Sequence, residues 1–184
     1  TVLVVVPSLL ARLLDAKGFN RNSLKLLICS GEELNTGVVA KFRNVCPTVR
    51  LLNLYGSSEV NGDASVFDST RLDEEVDKTN KSVIGRPISN TQIYILDSIG
   101  QPVPLGVTGE IHIGGAGVAR GYLNRAELTA ERFIANPFST ESSGRESSST
   151  EASARMYKTG DLGRYLPDGN IEFLGRNDHQ VKIR

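Results

Sequence analysis

Tryptophan is absent from this 184-residue chain, methionine occurs once and cysteine twice. Cys29 and Cys46 form neither a disulfide framework nor a metal or redox spacing, which excludes a stapled secreted scaffold and a zinc module. Net charge is lacking too. The 21 basic residues meet 21 acidic ones, so there is no basic stripe for nucleic acid and no acidic tail. The longest apolar runs, Val2 to Val6 and Leu24 to Cys29, are strand-sized and far short of a bilayer span. No nucleic-acid or membrane partner is expected. No signal-peptide pattern is read, and a reduced, cytoplasmic setting is the expectation.

What is present begins as an alternation of strands and helices. Val2 to Val6 reads as a buried strand, and Pro7 opens a helix whose Leu9, Leu10, Leu13 and Leu14 share a face. Leu24 to Cys29 is a second strand. Val38, Val39, Phe42 and Val45 make the stripe of a second helix, stopped by Pro47. Leu51 to Tyr55 is a third strand. The alternation predicts a parallel sheet covered by helices, with ligands at the carboxyl ends of the strands.

From about Ser82 the texture changes to short β-like runs: Gln92 to Leu96, Glu110 to Ile113, Ile171 to Leu174 and Gln180 to Ile183. A turn at Pro167-Asp168-Gly169-Asn170 suits an antiparallel pairing. A small antiparallel barrel or sheet is expected, interrupted by a helix over Glu127 to Ala135. Residues 139–155, rich in Ser, Thr and Glu, read as a disordered loop, and Arg71 to Lys81 as a second polar loop.

Four blocks carry chemistry. Asn53-Leu54-Tyr55-Gly56-Ser57-Ser58-Glu59 leaves a strand into a turn bearing hydroxyls and a carboxylate. Hydroxyls and turn amides can hold phosphate oxygens, and a carboxylate can hold Mg²⁺ against them. An ordinary strand-to-loop turn is the competing reading. Gly109 to Leu123 is glycine-rich, but no βαβ unit surrounds it and no acidic ribose ligand follows at the right distance. Its glycines read as sites of tight turns and close packing, and His112 as a packed side chain. In Tyr157-Lys158-Thr159-Gly160-Asp161-Leu162, a carboxylate after a glycine turn can accept both hydroxyls of a ribose, or merely cap the turn. Gly175 to Arg184 is basic and reads alternatively as a solvated edge strand.

In this order the blocks resemble the adenylate-forming superfamily, and most closely the amino-acid adenylation domains of nonribosomal peptide synthetases. Ile84-Gly85-Arg86-Pro87-Ile88, Asn124-Arg125-Ala126-Glu127-Leu128-Thr129 and Arg132-Phe133 extend the resemblance over nearly the whole chain. Acyl-CoA ligases usually carry Trp before Thr-Gly-Asp and Lys at the hinge, where Tyr157 and Asp178 stand here. The resemblance implies an α/β fold, part of a flavodoxin-like parallel sheet over 1–80, followed by a small antiparallel β-barrel subdomain over 81–177. It implies a hinge and the start of a further domain over 178–184.

The implied cofactors are ATP and Mg²⁺, with phosphopantetheine on a partner carrier-protein domain. Gly31, Glu32, Asn53, Tyr55, Gly56, Ser58, Asp161 and Arg176 would hold the nucleotide, with Tyr55 stacking on the base and Asp161 taking the ribose hydroxyls. Ser58 would contact the α-phosphate and Glu59 the Mg²⁺, which makes them the implied catalytic pair. Asp178 would be the hinge. Ser57 stands where the family commonly has Pro. The family's phosphate-gripping loop, its ammonium-holding Asp helix and its catalytic Lys have no counterpart within these residues. Both ends stand inside apolar runs, whereas termini tend to be polar. An internal piece that does not catalyse alone is expected.

Six pocket positions carry over from the family: Val5, Ile28, Ser30, Leu54, Gly62 and Asp63. The set resembles that of β-alanine-activating domains, and Asp63 would meet a substrate ammonium displaced from its carboxylate. A small or basic α-amino acid whose side chain meets Asp63 is the rival, as is an Asp63 that faces solvent. Because burying a lone charge is costly, Asp63 is expected to have a cationic partner. A non-catalytic nucleotide- or carrier-binding module and an acyl-CoA ligase remain the alternatives for the chain as a whole.

Overall fold

The computed structural model describes residues 1–19, 21–71, 82–139 and 155–177. Three short parallel strands open it: β1 (Val2–Val5), β2 (Leu26–Cys29) and β3 (Arg50–Ser57). Helices α1 (Pro7–Asp15) and α2 (Thr36–Val45) connect them. Pro7 starts α1, where its missing N–H costs nothing. The Asn35 side chain caps α2 by accepting from Val38 N at 3.0 Å. Both helices cover the same face of the sheet, where Leu10, Leu14, Leu27, Cys29, Val39, Phe42 and Leu51 form one core. The stripe of α1 is narrower than its leucines suggest, since Leu9 is 46% exposed.

The second half is antiparallel. Strands β4 (Gly62–Asp68), β5 (Ser82–Pro87), β6 (Thr91–Leu96) and β7 (Gly109–Gly115) are followed by a short helix α3 (Ala126–Arg132). Then come β8 (Phe133–Ala135), β9 (Arg155–Tyr165) and β10 (Ile171–Arg176). The helix expected to reach Ala135 therefore stops at Arg132, because Phe133 to Ala135 pair with β9 instead. The Pro167–Asn170 turn joins β9 to β10, with Leu166 N bonded to Asn170 O at 2.8 Å.

The ten strands of the described residues form one sheet in the order β1-β2-β3-β4-β5-β10-β9-β7-β6, with β8 on β9. The α/β class is as expected. The second half is an open sheet rather than a closed barrel: among the described residues β6 ends the path and does not return to it. The polar loop 72–81, the segment 140–154 and Asp178 with the residues after it lie outside the described residues.

Candidate active site

Irregularities in the ladder place the chemical groups. Opposite β7, Lys158 pairs with His112 and Leu162 with Glu110. Thr159, Gly160 and Asp161 therefore face Ile111 alone, a bulge that swings Asp161 out of the regular alternation. Gly160 takes a φ of 74°, which glycine adopts freely. Thr159 Oγ1 ties the bulge down by donating to Ile111 O at 2.7 Å and accepting from Asp161 N at 2.9 Å. Glu110 accepts from Gly160 N at 3.1 Å. A second bulge lies between β3 and β4. Tyr55 pairs with Ser65 and Gly56 with Asp63, leaving Ala64 as the extra residue. It presses on Gly56, where a Cβ would meet Gly62 O at 1.9 Å.

The two bulges face one cavity of about 520 Å³, lined among others by Gly31, Glu32, Asn53, Tyr55, Asp161 and Arg176. Tyr55 Oη donates to Asp161 Oδ2 at 2.6 Å, and Arg176 Nη1 donates to Asp161 Oδ1 at 2.7 Å. Burial, then the charge of Asp161 and the hydrogen bond to it, push the Tyr55 phenol well above its ordinary range. It therefore remains a donor across the working pH range. Glu32 lines the cavity while its carboxylate accepts from Ser8 N at 3.0 Å and Ser8 Oγ at 3.1 Å, which fixes the Gly31–Glu32 corner to the start of α1. The buried Asn53 donates to Val83 O at 2.8 Å.

The turn Ser58–Val60 carries Glu59 to the cavity wall, whereas Ser58 is exposed and off that wall. Glu59 Oε1 accepts from Tyr122 Oη at 2.9 Å. Burial acts to raise the Glu59 carboxyl. The turn's own N–H and the hydroxyls of Tyr122, Ser57 and Tyr157 outweigh it and hold the group below the usual carboxylate range. Ser57 acts there as a nearby dipole, since its buried Oγ has no partner at hydrogen-bonding geometry. An orphaned buried hydroxyl beside an ionised carboxylate on a cavity wall fits a phosphate-bound Mg²⁺.

The substrate set is divided. Ser30 Oγ donates to Asp63 Oδ1 at 2.8 Å, one residue before Gly31 and opposite Gly56. The partner seen for Asp63 is thus a neutral hydroxyl. Ile28 and Leu54 lie two residues apart in phase with Leu52 and share the face away from the helices, and Leu54 reaches the cavity wall. Gly62 is exposed at the start of β4. Val5 sits on the other face. It pairs with Cys29 and packs against the helix-covered core. Val4, paired with Ile28 and 65% exposed, occupies the face to which Val5 was assigned. A continuous apolar run carries no alternation, so its phase could not be read without the register.

Sequence reasoning missed Phe173, Tyr157 and Thr159 as wall residues. Phe173 stands 6.1 Å from the Tyr55 ring. The Ile171-Glu172-Phe173 run gave strand but no ligand signal. From the glycine block Ile113 lines the cavity, and His112 is packed, 4% exposed.

Residues 1–123 match the family described as AMP-binding enzyme. Bacitracin synthase 3 of Bacillus licheniformis is 45% identical over 184 residues, covering 100% of this chain and 3% of that protein. Malpibaldin synthetase of Mortierella alpina is 44% identical over 184 residues, likewise covering 100% of this chain and 3% of that protein. Among solved structures, PA1221, an NRPS protein containing adenylation and PCP domains, superposes with a TM-score of 0.83 at 29% identity, over 100% of this chain and 34% of that chain. The chain thus spans a small share of the relatives it matches. On this match, with the cavity and the blocks that build it, the chain belongs to the AMP-binding enzyme family of adenylate-forming ligases.

Proposed function

We propose that this chain forms the nucleotide-holding part of an amino-acid-adenylating domain that loads a carrier protein. The observation that carries this reading is the meeting of Tyr55 and Asp161 on one cavity, because a base platform and a ribose-binding carboxylate must face the same nucleoside. Asp161 would accept the ribose hydroxyls, held in place by Arg176. Tyr55 and Phe173 would face the base, and the fixed Gly31–Glu32 corner would close its edge. Mg²⁺, held by Glu59, would supply charge neutralisation on the phosphates, with the Ser57 hydroxyl on the wall toward them and Ser58, exposed beside the cavity, reaching the α-phosphate only from its rim.

In the first half-reaction a substrate carboxylate oxygen attacks the α-phosphorus. The bond to the bridging oxygen breaks and pyrophosphate leaves. In the second, a phosphopantetheine thiolate attacks the acyl carbon and AMP leaves. The nucleophiles come from the substrates, so the residues described here position groups and stabilise charge. A carrier-protein domain is the proposed partner, and Asp178 the proposed hinge between the half-reactions. The division at residue 80 and the start of a further domain at 178 belong to the same proposal. With both described cysteines free and buried, a reducing cytoplasmic setting suits it.

For the substrate, we favour β-alanine or another small β-amino acid. Asp63, bonded to Ser30 beside the cavity, offers a carboxylate for an ammonium one carbon further from the reacting carboxyl. A small or basic α-amino acid remains the competitor. ATP–pyrophosphate exchange by the full-length protein across an amino-acid panel tests both levels. Exchange with β-alanine above the α-amino acids is expected. Exchange with another substrate would refute the β-alanine assignment, and none with any substrate the adenylation reading. ATP binding without exchange would favour the binding-module alternative.

A further inference from the structure

The Gly109–Leu123 block gave sequence reasoning no function, yet its end reaches the candidate active site. After β7 the chain packs against the turn that carries Glu59. Ala119 N donates to Glu59 O at 2.8 Å, and Tyr122 Oη donates to Glu59 Oε1 at 2.9 Å. Glu59 is therefore gripped at both its backbone and its carboxylate by one loop. The approach is close enough to require glycine at position 117, where a Cβ would meet Val60 O at 2.7 Å. Val118 and Val60 share the same buried core.

The loop is itself fastened. Arg155 donates to Arg120 O at 3.0 Å and to Ala119 O at 2.8 Å. Tyr122 N donates to Thr129 Oγ1 at 2.9 Å, and the Tyr122 ring meets Phe133 edge-on at 5.3 Å. A phenol pinned by its backbone and ring presents its hydroxyl at a fixed point. The Tyr157 hydroxyl, on the cavity wall, lies 3.5 Å from that of Tyr122.

We propose that Tyr122 is a positioning residue that aims the Glu59 carboxylate at a phosphate-bound divalent cation. This rests on the reading of Glu59 as the Mg²⁺ ligand. A free glutamate at the end of a turn samples several rotamers, and ordering it lowers metal affinity by the entropy lost. The bond from Tyr122 removes that cost in advance and commits Oε1 to the protein.

The test measures ATP binding to the full-length protein by calorimetry, in EDTA and across a Mg²⁺ titration, beside ATP–pyrophosphate exchange. For Tyr122→Phe, the Mg²⁺ concentration giving half-maximal enhancement is expected to rise roughly 10- to 100-fold, as for loss of one hydrogen bond to a charged group. Binding in EDTA and thermal stability are expected to stay near wild type. Tyr157→Phe leaves the Tyr122–Glu59 bond in place and removes only the weaker, later-ranked influence of the Tyr157 hydroxyl on Glu59, so its shift in Mg²⁺ dependence is expected to be clearly smaller than that of Tyr122→Phe, about 2-fold. Equal weakening of Tyr122→Phe with and without Mg²⁺, or an equal effect of Tyr157→Phe, overturns the proposal.

Glu59→Gln separates the two levels. Loss of Mg²⁺ enhancement in Glu59→Gln with a wild-type response in Tyr122→Phe defeats the role of Tyr122 alone. An unchanged Mg²⁺ response in Glu59→Gln defeats the reading of Glu59 as ligand. Adding Tyr122→Phe to Glu59→Gln is expected to change nothing further.

Discussion

The Tyr55 hydroxyl donates to the Asp161 carboxylate at 2.6 Å, across 106 positions of sequence. Arg176 takes the other carboxylate oxygen at 2.7 Å, so both oxygens of Asp161 are oriented before any ligand arrives. Asp161→Asn is expected to weaken ATP binding by roughly 10- to 100-fold, since it removes a charged acceptor and the ion pair with Arg176. Tyr55→Phe keeps the ring and is expected to cost less, about 3- to 10-fold. The double variant is expected to fall short of the product of the two. Calorimetric titration of ATP into the full-length variants measures this, and an Asp161→Asn protein with wild-type affinity would remove the ribose role.

Ser30 and Asp63 form a pair, so their variants are predicted together. Asp63→Ala is expected to depress exchange with β-alanine by about 10-fold or more relative to neutral α-amino acids, the cost of leaving a buried ammonium unpaired. Ser30→Ala frees the carboxylate to turn and is expected to raise the KM for β-alanine more than it lowers kcat. Uniform loss for every amino acid would instead mark both residues as structural.

His112 gives a pH signature. It is 4% exposed, with Nδ1 3.1 Å from Glu110 O. Burial lowers its pKa below 6.5, against the opposing pull of Glu110 and alongside repulsion from Lys158. The folded protein keeps the ring neutral while the unfolded chain takes up a proton. The resulting stability is fully present above pH 6.5 and is lost as pH falls through the lower folded pKa. Urea unfolding from about pH 7.5 to about pH 5 should show this loss, and His112→Gln should flatten it. An unchanged slope in the variant would assign the loss to other groups.

Gly85 has a φ of +78°, and a Cβ there would meet Val66 O at 1.9 Å. Gly85→Ala combines backbone strain with a clash against a main-chain atom that cannot swing away. A loss of more than about 3 kcal/mol is expected. The urea midpoint and soluble yield report it, and a wild-type midpoint would mean the strand can shift.

The first three strands and both long helices were legible because apolar residues recur there at strand or helix period, with Pro7 and Pro47 marking helix boundaries, whereas the Asn35 cap was not read. Strand β4 was not legible, since Asp63, Ser65 and Asp68 interrupt any apolar pattern and only pairing with β3 and β5 makes it a strand. The phase of β1 was lost for the opposite reason: Val2 to Val6 is apolar at every step, so Val4 and Val5 could not be told apart. At the site, Tyr55 and Asp161 could be named from their blocks. The Tyr122–Glu59 bond could not, because it depends on where a glycine-rich loop lands 63 residues later.

One geometric consequence follows from the strand order. Tyr55 lies on β3 and Asp161 on β9, and β4, β5 and β10 stand between them. Four ladder steps of about 4.8 Å each would hold their backbones roughly 19 Å apart in a flat sheet, farther than the two side chains can reach together. Their contact therefore requires the sheet to curl into a trough. Along that path the pairing is irregular at Ala64, between Ile171 and Glu172, and between Phe173 and Arg176.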